Sequence, residues 1–227
     1  MVFIPFTPLV GKLIIKYFPD EKKDRDITKP AVMHLNDDVL DTPTAAISNA
    51  QAEIKGVIGL LERVVGSVAK PFISEESLKD IENENENFES GLQIRMKKIE
   101  FLNNEISSYL IKINNQDLTK NQSSEIFNLV SIINNINSIK SSVDLRLHDL
   151  IIKKDQLESG MSDVLANEIE TYHTKLVKQI KRLGKFFDKY DQNKIEKILI
   201  KSKKYKDLEE KYRVEHIKRS NSGESSD

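Results

Sequence analysis

The sequence predicts an all-α protein of long antiparallel helices, with a three-helix bundle followed by an incomplete second bundle. Glycine and proline number only 8 and 6 among 227 residues, and charged residues make up 31%, which is typical of long helices. Apolar residues recur at spacings of three and four along several segments, the period of an amphipathic helix. Short connections separate these segments, as in an antiparallel bundle.

The first residues, MVFIPFTPLVGKLIIKYFPD, are apolar but unsuited to crossing a membrane alone. A span needs roughly 20 apolar residues, and Lys12, Lys16, Pro5 and Pro8 interrupt this stretch. A signal peptide is not indicated, because no positive region precedes the apolar part and no small-residue cleavage site follows it. We interpret residues 1–18 as the end of a membrane helix and its amphipathic exit. An interfacial or core-packing segment is the alternative.

Residues 19–41 combine turn-forming and charged residues without a sustained period, which predicts a linker. Lys22, Lys23 and Arg25 lie where a cytoplasmic flank carries positive charge. The first helix is then predicted to begin after Thr42 as N-cap, with Pro43 at its first position. Its apolar residues form a heptad seam that Pro71 ends. The seam consists of Ile47, Ala50, Ile54, Val57, Leu61, Val64 and Val68.

A second helix is predicted from Ser74, with Glu75 and Glu76 in the first turn, where the helix dipole favours anions. The segment NNQDL ends this helix. Its seam is predicted to consist of Leu78, Ile81, Phe88, Leu92, Ile99, Leu102, Ile106 and Ile113, with polar interruptions at Asn85, Arg95 and Tyr109.

Three further helices follow, and the first two carry predicted caps. Thr119 and Gln122 have the spacing of a capping box, and Ser162 is predicted to cap the next helix. The third stripe consists of Ile126, Leu129, Ile133, Ile136, Ile139, Val143, Leu147 and Leu150. The fourth consists of Leu165, Ile169, Tyr172, Leu176, Ile180, Leu183, Phe187 and Tyr190, and the fifth of Ile195, Ile198, Tyr205, Leu208 and Tyr212.

The predicted organisation is a first bundle over 42–158, a second over 161–219 and a disordered tail over 220–227. A second bundle needs a sixth helix, which does not appear before the chain stops, so we expect both ends to be cut from a longer arrangement. Without that helix, an apolar groove should stay open on helices four and five. Residues 160–227 should then be loosely ordered alone.

Charge is distributed unevenly although the net charge is −1. The first 174 residues carry 19 Lys or Arg and 27 Asp or Glu, whereas residues 175–219 carry 16 and 7. A basic C-terminal third fits an anionic membrane surface or an acidic partner, with a solvated helix face as the alternative. The chain has no cysteine, which excludes a disulfide framework, thiolate metal sites and a cysteine nucleophile.

No catalytic pattern is present, so we predict a non-enzyme with no catalytic, cofactor-binding or metal residues and no cofactor. The histidines, His34, His148, His173 and His216, are scattered and fit surface or boundary positions. No glycine-rich phosphate loop or nucleophile elbow occurs. Basic residues are not interleaved with stacking aromatic residues, which argues against nucleic acid as a partner.

Acidic residues also occur at helical spacing, in the segment KDIENENENFES. Asp80 with Glu84, and Glu82 with Glu86, are i, i+4 pairs whose oxygens could hold a cation. Such pairs repel each other in a bare helix. A solvated acidic face is therefore the favoured interpretation.

Three segments resemble a known family. PFTPLVGKLIIKYFPD and LDTPTAAISNAQAEIKGVIGLLERVV resemble the membrane exit and following helix of bacterial sodium-dependent inorganic phosphate cotransporters, and LEEKYRVEHIKR resembles the penultimate helix of that family. The resemblance implies a cytoplasmic PhoU-like helical domain that follows a core of membrane helices. It is specific at residues 3–65 and 205–219 and weaker between them.

The chain departs from that family at the expected metal motif, in which two carboxylates lie at i, i+4 on one helix face. The matching segment is INNINSIKSSVD, where Asn137 and Ser141 replace the Glu and Asp and Lys140 lies between them. We therefore expect metal binding there to be weak or lost. Gln122-Ser123-Ser124 echoes the transport motif of the family, but its place at a helix start indicates capping.

The resemblance implies a regulatory or interaction module on the cytoplasmic face of the cell membrane that does not itself transport phosphate. Its implied partners are the membrane-embedded transporter core or an anionic membrane surface, with self-association as a further possibility. The alternative is a free-standing PhoU-like interaction protein of phosphate uptake or signalling that acts in trans.

Overall fold

The described part of the chain is built from helices. The structure is a computed structural model that describes residues 30–73, 88–156, 161–187 and 192–222. Within these residues there are five long helices and no strand, which confirms the all-α prediction. The helices are α1 (Pro43–Val68), α2 (Phe88–Asn114), α3 (Lys120–Asp155), α4 (Asp163–Phe186) and α5 (Gln192–Ser222).

All five helices belong to one compact unit, Val32–Asp227, and Met1–Ala31 forms the other unit. The predicted membrane exit, residues 1–18, lies outside the described residues, as does the segment 74–87 with the predicted start of the second helix. No helix among the described ranges is both long enough and apolar enough to cross a membrane.

Helices α1, α2 and α3 pack against one another as a three-helix bundle, α4 packs against α1, and α5 packs against α4. The heptad seams predicted for α1 and α2 supply half of the buried core residues, because residues three and four apart share one face of a helix. Fully buried members include Ile54, Val57, Val64, Ile99, Ile106 and Ile113.

Capping residues fix several helix starts as the sequence predicts. Thr119 and Gln122 form the capping box of α3, which satisfies backbone donors that have no partner inside the helix. The Ser162 hydroxyl accepts a hydrogen bond from the Leu165 N–H at 3.4 Å and so caps α4. Thr42 is the N-cap of α1 by position, but its side chain makes no capping hydrogen bond.

Helix ends deviate from the predicted ends by a few residues. α1 ends at Val68, and Pro71 lies in a separate helical turn, Lys70–Ile73. Proline has no backbone N–H, and its ring clashes with the carbonyl four residues earlier, so the break falls upstream of Pro71. At the other end of the chain, α5 continues to Ser222, three residues into the predicted tail.

The second half of the predicted linker is docked on the bundle. It contains a short 3₁₀ helix, Asp37–Val39, and its apolar residues Leu35, Val39 and Leu40 pack against the core. Tyr109, predicted as a polar interruption of the seam, is 3% exposed, and its hydroxyl donates to the Asn36 carbonyl at 2.7 Å. The aromatic ring of Tyr109 therefore packs in the core, while its hydroxyl holds the linker against the bundle.

Candidate functional site

The apolar stripe of α3 changes environment halfway along the helix. Ile126, Leu129, Ile133 and Ile136 are at most 4% exposed. The next members of the same predicted stripe are far more open, with Ile139 40% exposed and Leu150 49% exposed. A repeated apolar spacing shows that a helix face is apolar, but in this half of α3 no described helix covers that face completely.

This open half of α3 lines an apolar groove of about 810 Å³. The groove has walls on α1, α3, α4 and α5, whereas the sequence led us to expect an open apolar surface on the fourth and fifth helices alone. The α3 wall consists of Ile139, Val143, Leu147 and Leu150, and the α4 wall of Leu165, Ile169, Tyr172 and Leu176. The end of α1 and the turn after it contribute Val65, Val68, Ala69 and Phe72.

Hydrogen bonds hold α4 in place along the groove. The His173 ring donates through Nε2 to the Val65 carbonyl at 2.6 Å. That carbonyl lies in the last turn of α1, where carbonyl groups lack partners within the helix. His173 therefore completes the end of α1 and fixes the distance between the two helices.

The contact between α4 and α5 also depends on polar side chains. Gln179, 8% exposed, donates to the Ile198 carbonyl at 2.7 Å and to Ser202 Oγ at 2.8 Å. Farther along the hairpin, Arg219 donates to both carboxylate oxygens of Glu168 at 3.1 and 2.7 Å. Bidentate pairs of this kind restrict orientation as well as distance, so α5 stays aligned beside the groove.

Charged and polar groups mark the rim. Arg213 pairs with Glu209 on α5, and both residues line the groove. Burial raises the pKa of Tyr172, and the nearby Glu209 carboxylate raises it further, so this phenol stays neutral and able to donate a hydrogen bond. His216 Nδ1 is buried and has no hydrogen-bond partner within the described part of the chain.

Arg146 lies on the α3 rim, and no carboxylate among the described residues forms an ion pair with it. The groove therefore offers an apolar trough about three helical turns long, and of the two arginines on its edge Arg213 is paired with Glu209 whereas Arg146 has no ion pair in the described ranges. Such a surface can bind an apolar helix face that carries an acidic residue at its margin.

The residues at the expected metal motif are engaged differently. Asn137 Oδ1 accepts a hydrogen bond from Asn103 Nδ2 at 2.6 Å, and Lys140 Nζ contacts Glu100 Oε2 at 2.8 Å. Ser141 is exposed. In the described ranges no group of three or more His, Asp or Glu side chains could hold a metal ion, and Asp80, Glu82, Glu84 and Glu86 lie outside those ranges.

The four histidines are scattered along the sequence, but the fold brings two of them, His173 and His216, to the lining of the groove. Their neighbours come from helices distant in sequence, so no local spacing could reveal them. Gln122 completes the capping box with Thr119, whereas Ser123 Oγ donates back to the Thr119 carbonyl at 3.3 Å, the bond that a serine inside a helix makes to the residue four positions earlier.

Comparisons with known proteins add no family to these observations. No protein-family model matches the chain, and no curated protein and no solved structure is significantly similar to it. The groove is therefore interpreted from its own residues and from the resemblance of the sequence segments.

Proposed function

We propose that this chain is the cytoplasmic regulatory or interaction module of a sodium-dependent inorganic phosphate cotransporter, and that it does not transport phosphate itself. The segments at residues 3–65 and 205–219 support the family through their resemblance. The single observation that supports a binding role is the apolar groove between α3, α4 and α5. Most of the side chains that line the groove are apolar, which favours a binding role over a catalytic one.

The occupant that we propose is an amphipathic helix at the cytoplasmic side of the transporter's membrane core. From Leu165 to Leu176 the α4 wall extends about 17 Å at 1.5 Å per residue, the length of about three helical turns. Both walls present side chains three and four residues apart, which form ridges and grooves suited to another helix. A small ligand would be oriented by polar anchors, whereas Glu168 and Glu209 already pair with arginines.

Charge supports the same choice of occupant. Arg146 on the α3 rim has no acidic partner among the described residues and lies beside Leu147 and Leu150. A helix that places one carboxylate at its margin would satisfy this guanidinium while its apolar face fills the trough. Occupation of the groove in only one state of the transporter would shift its conformational equilibrium, which is the proposed regulatory action on the cytoplasmic face of the membrane.

The test uses the full chain and a bacterial sodium/phosphate cotransporter core, expressed without its own cytoplasmic domain, in proteoliposomes. Binding is measured with a fluorescent label on the chain, and sodium-driven phosphate uptake is measured in the same vesicles. We expect the chain to bind and to change the uptake rate. Binding with no change in uptake would contradict the regulatory role, and absence of binding would overturn the proposal.

Matched variants connect the result to the groove. Ile139→Glu and Leu150→Glu place a carboxylate inside it, and desolvation of an unpaired charge should weaken binding roughly tenfold or more. Leu145→Glu is the control on the same helix, because Leu145 is 76% exposed and does not line the groove. Equal binding by all three variants would show that the contact lies elsewhere.

A further inference from the structure

Positive charge concentrates at one end of the α4–α5 hairpin. Between residues 171 and 187 the chain has five Lys or Arg and no acidic residue, and between 192 and 206 it has six Lys and one Glu. The hydrogen bonds from Gln179 to Ile198 and Ser202 bring these two segments side by side. The rest of α5 differs, since residues 207–219 carry four basic and four acidic residues.

Few of these charges are neutralised by neighbouring elements. Lys181 lies 3.9 Å from Glu62 of α1, and both side chains are partly exposed, so this pair contributes little. Lys197, Lys203 and Lys204 are exposed and form no ion pair within the described ranges. The hairpin end therefore presents an open cationic surface about 22 Å long on α5 alone, at 1.5 Å per residue.

Apolar side chains are exposed within this cationic surface. Leu199 is 63% exposed and Ile200 is 57% exposed, on the side of α5 away from α4, and Leu183 near the end of α4 is 42% exposed. Lys203 lies four residues from Leu199 and three from Ile200, so these three share the outer face of the helix. Lysines around exposed aliphatic residues are typical of helices that lie in a membrane interface.

We infer that this end of the α4–α5 hairpin, called the basic hairpin end (residues 175–187 and 192–206), binds an anionic phospholipid bilayer. Lysine ammonium groups contact the lipid phosphates, while Leu199 and Ile200 enter the interface. The inference goes beyond the proposed function, because it concerns a different surface and needs no transporter. It also fixes which end of the hairpin faces the membrane, with the groove on the half of the hairpin farther from the lipid.

A lipid surface fits this end better than nucleic acid does. Ten of its eleven cations are lysines, and the exception, Arg182, is engaged with Gln179 and Tyr205. Arginine forks and stacking aromatic residues are the usual nucleic-acid contacts. The described aromatic residues here, Phe186, Phe187 and Tyr205, are half-buried, whereas the exposed apolar residues are aliphatic.

The test is co-sedimentation of the full chain with phosphatidylcholine vesicles that contain or lack phosphatidylglycerol, at low and at high salt. We expect binding only to the anionic vesicles and weaker binding at high salt, because added ions screen the charges. Lys203→Gln/Lys204→Gln should weaken the partition coefficient about fivefold per lysine. Leu199→Ser/Ile200→Ser should abolish the part of the binding that persists at high salt.

The matched control is Lys211→Gln/Lys218→Gln, which removes the same charge from the neutral half of α5 and should change binding less than about twofold, since it lies away from the lipid. Equal losses in the two double variants would overturn the inference, because net charge alone would then explain binding.

Tighter binding to poly(U) than to vesicles, unaffected by Leu199→Ser/Ile200→Ser, would overturn the inference in favour of nucleic acid. The groove variants Ile139→Glu and Leu150→Glu should bind vesicles normally, which separates this surface from the proposed transporter contact.

Discussion

Asn103 on α2 donates a hydrogen bond of 2.6 Å to Asn137 on α3, in the segment where we expected metal binding to be weak or lost. Asn103 is 1% exposed, and its Oδ1 has no partner in the described part of the chain. Asn137 therefore connects two helices of the bundle. Removing the hydrogen-bond partner of a buried amide lowers the free energy of unfolding, because the amide is left unsatisfied in the core.

Asn137→Ala should lower the free energy of unfolding by about 1–3 kcal/mol, because the Asn103 amide would lose its hydrogen bond inside the core. Urea denaturation followed by circular dichroism measures this change. Asn134→Ala, an exposed site one helical turn earlier, is the control and should stay within about 0.5 kcal/mol. Equal losses for both variants would show that the hydrogen bond contributes nothing specific.

Glu53 holds the segment before α1 through two backbone groups. It is 3% exposed, and its Oε2 accepts from the Met33 and His34 N–H groups at 3.0 and 2.6 Å. Glu53→Ala should cost about 3 kcal/mol of unfolding free energy, since hydrogen bonds to charged groups are strong and both donors lose their partner. Hydrogen exchange should accelerate at residues 33 and 34 in particular. The exposed Glu105→Gln serves as the control, and unchanged exchange in Glu53→Ala would contradict the assignment.

The ion pair between Glu100 and Lys140 should be visible in titration. The hydrogen bond from Lys140, and then its charge, hold the pKa of Glu100 below its ordinary value. Because the pKa of Glu100 is lower in the folded than in the unfolded protein, any contribution of the ion pair to the free energy of unfolding is present above the ordinary glutamate pKa. It is lost as pH falls through the folded value. NMR titration should show Glu100 titrating at lower pH than in Lys140→Ala. The same Glu100 pKa in both proteins would contradict the pair.

Much of the bundle could be predicted from local sequence. The seams that contain Ile54 on α1 and Ile99 on α2, and the cap at Thr119, depend on spacings within a few residues, and these are properties of a single helix. Tyr109 could not be placed, because its hydroxyl binds a carbonyl 73 residues away in the chain. The groove was anticipated on α4 and α5, but its α3 wall was not, since periodicity marks an apolar face without showing what covers it.

Tyr172 should titrate above its ordinary pKa because burial, and secondarily Glu209, disfavour the phenolate. Because the pKa of Tyr172 is higher in the folded than in the unfolded protein, the contribution of this group to the free energy of unfolding is fully present below the ordinary tyrosine pKa. It is lost as pH rises through the folded value. NMR with ¹³C-labelled tyrosine, assigned through Tyr172→Phe, measures the pKa. Glu209→Gln should lower the pKa of Tyr172, whereas Glu210→Gln on the same helix should leave it unchanged. No difference between the two variants would exclude the Glu209 charge as a cause.

Ile133 and Ile139 belong to one predicted stripe but should respond differently to truncation. Ile133 is 1% exposed inside the three-helix bundle, whereas Ile139 is 40% exposed in the groove. Ile133→Ala should cost about 2–5 kcal/mol of unfolding free energy, because it leaves a cavity in a packed core. Ile139→Ala should cost less than about 1 kcal/mol, since little apolar area there is removed from water.

Urea denaturation compares the two variants, and similar losses would mean that the second half of α3 is covered in solution by a copy of the chain or by one of its own segments. Repeating the measurement over a range of protein concentrations separates these cases, because only self-association makes the loss at Ile139 depend on concentration.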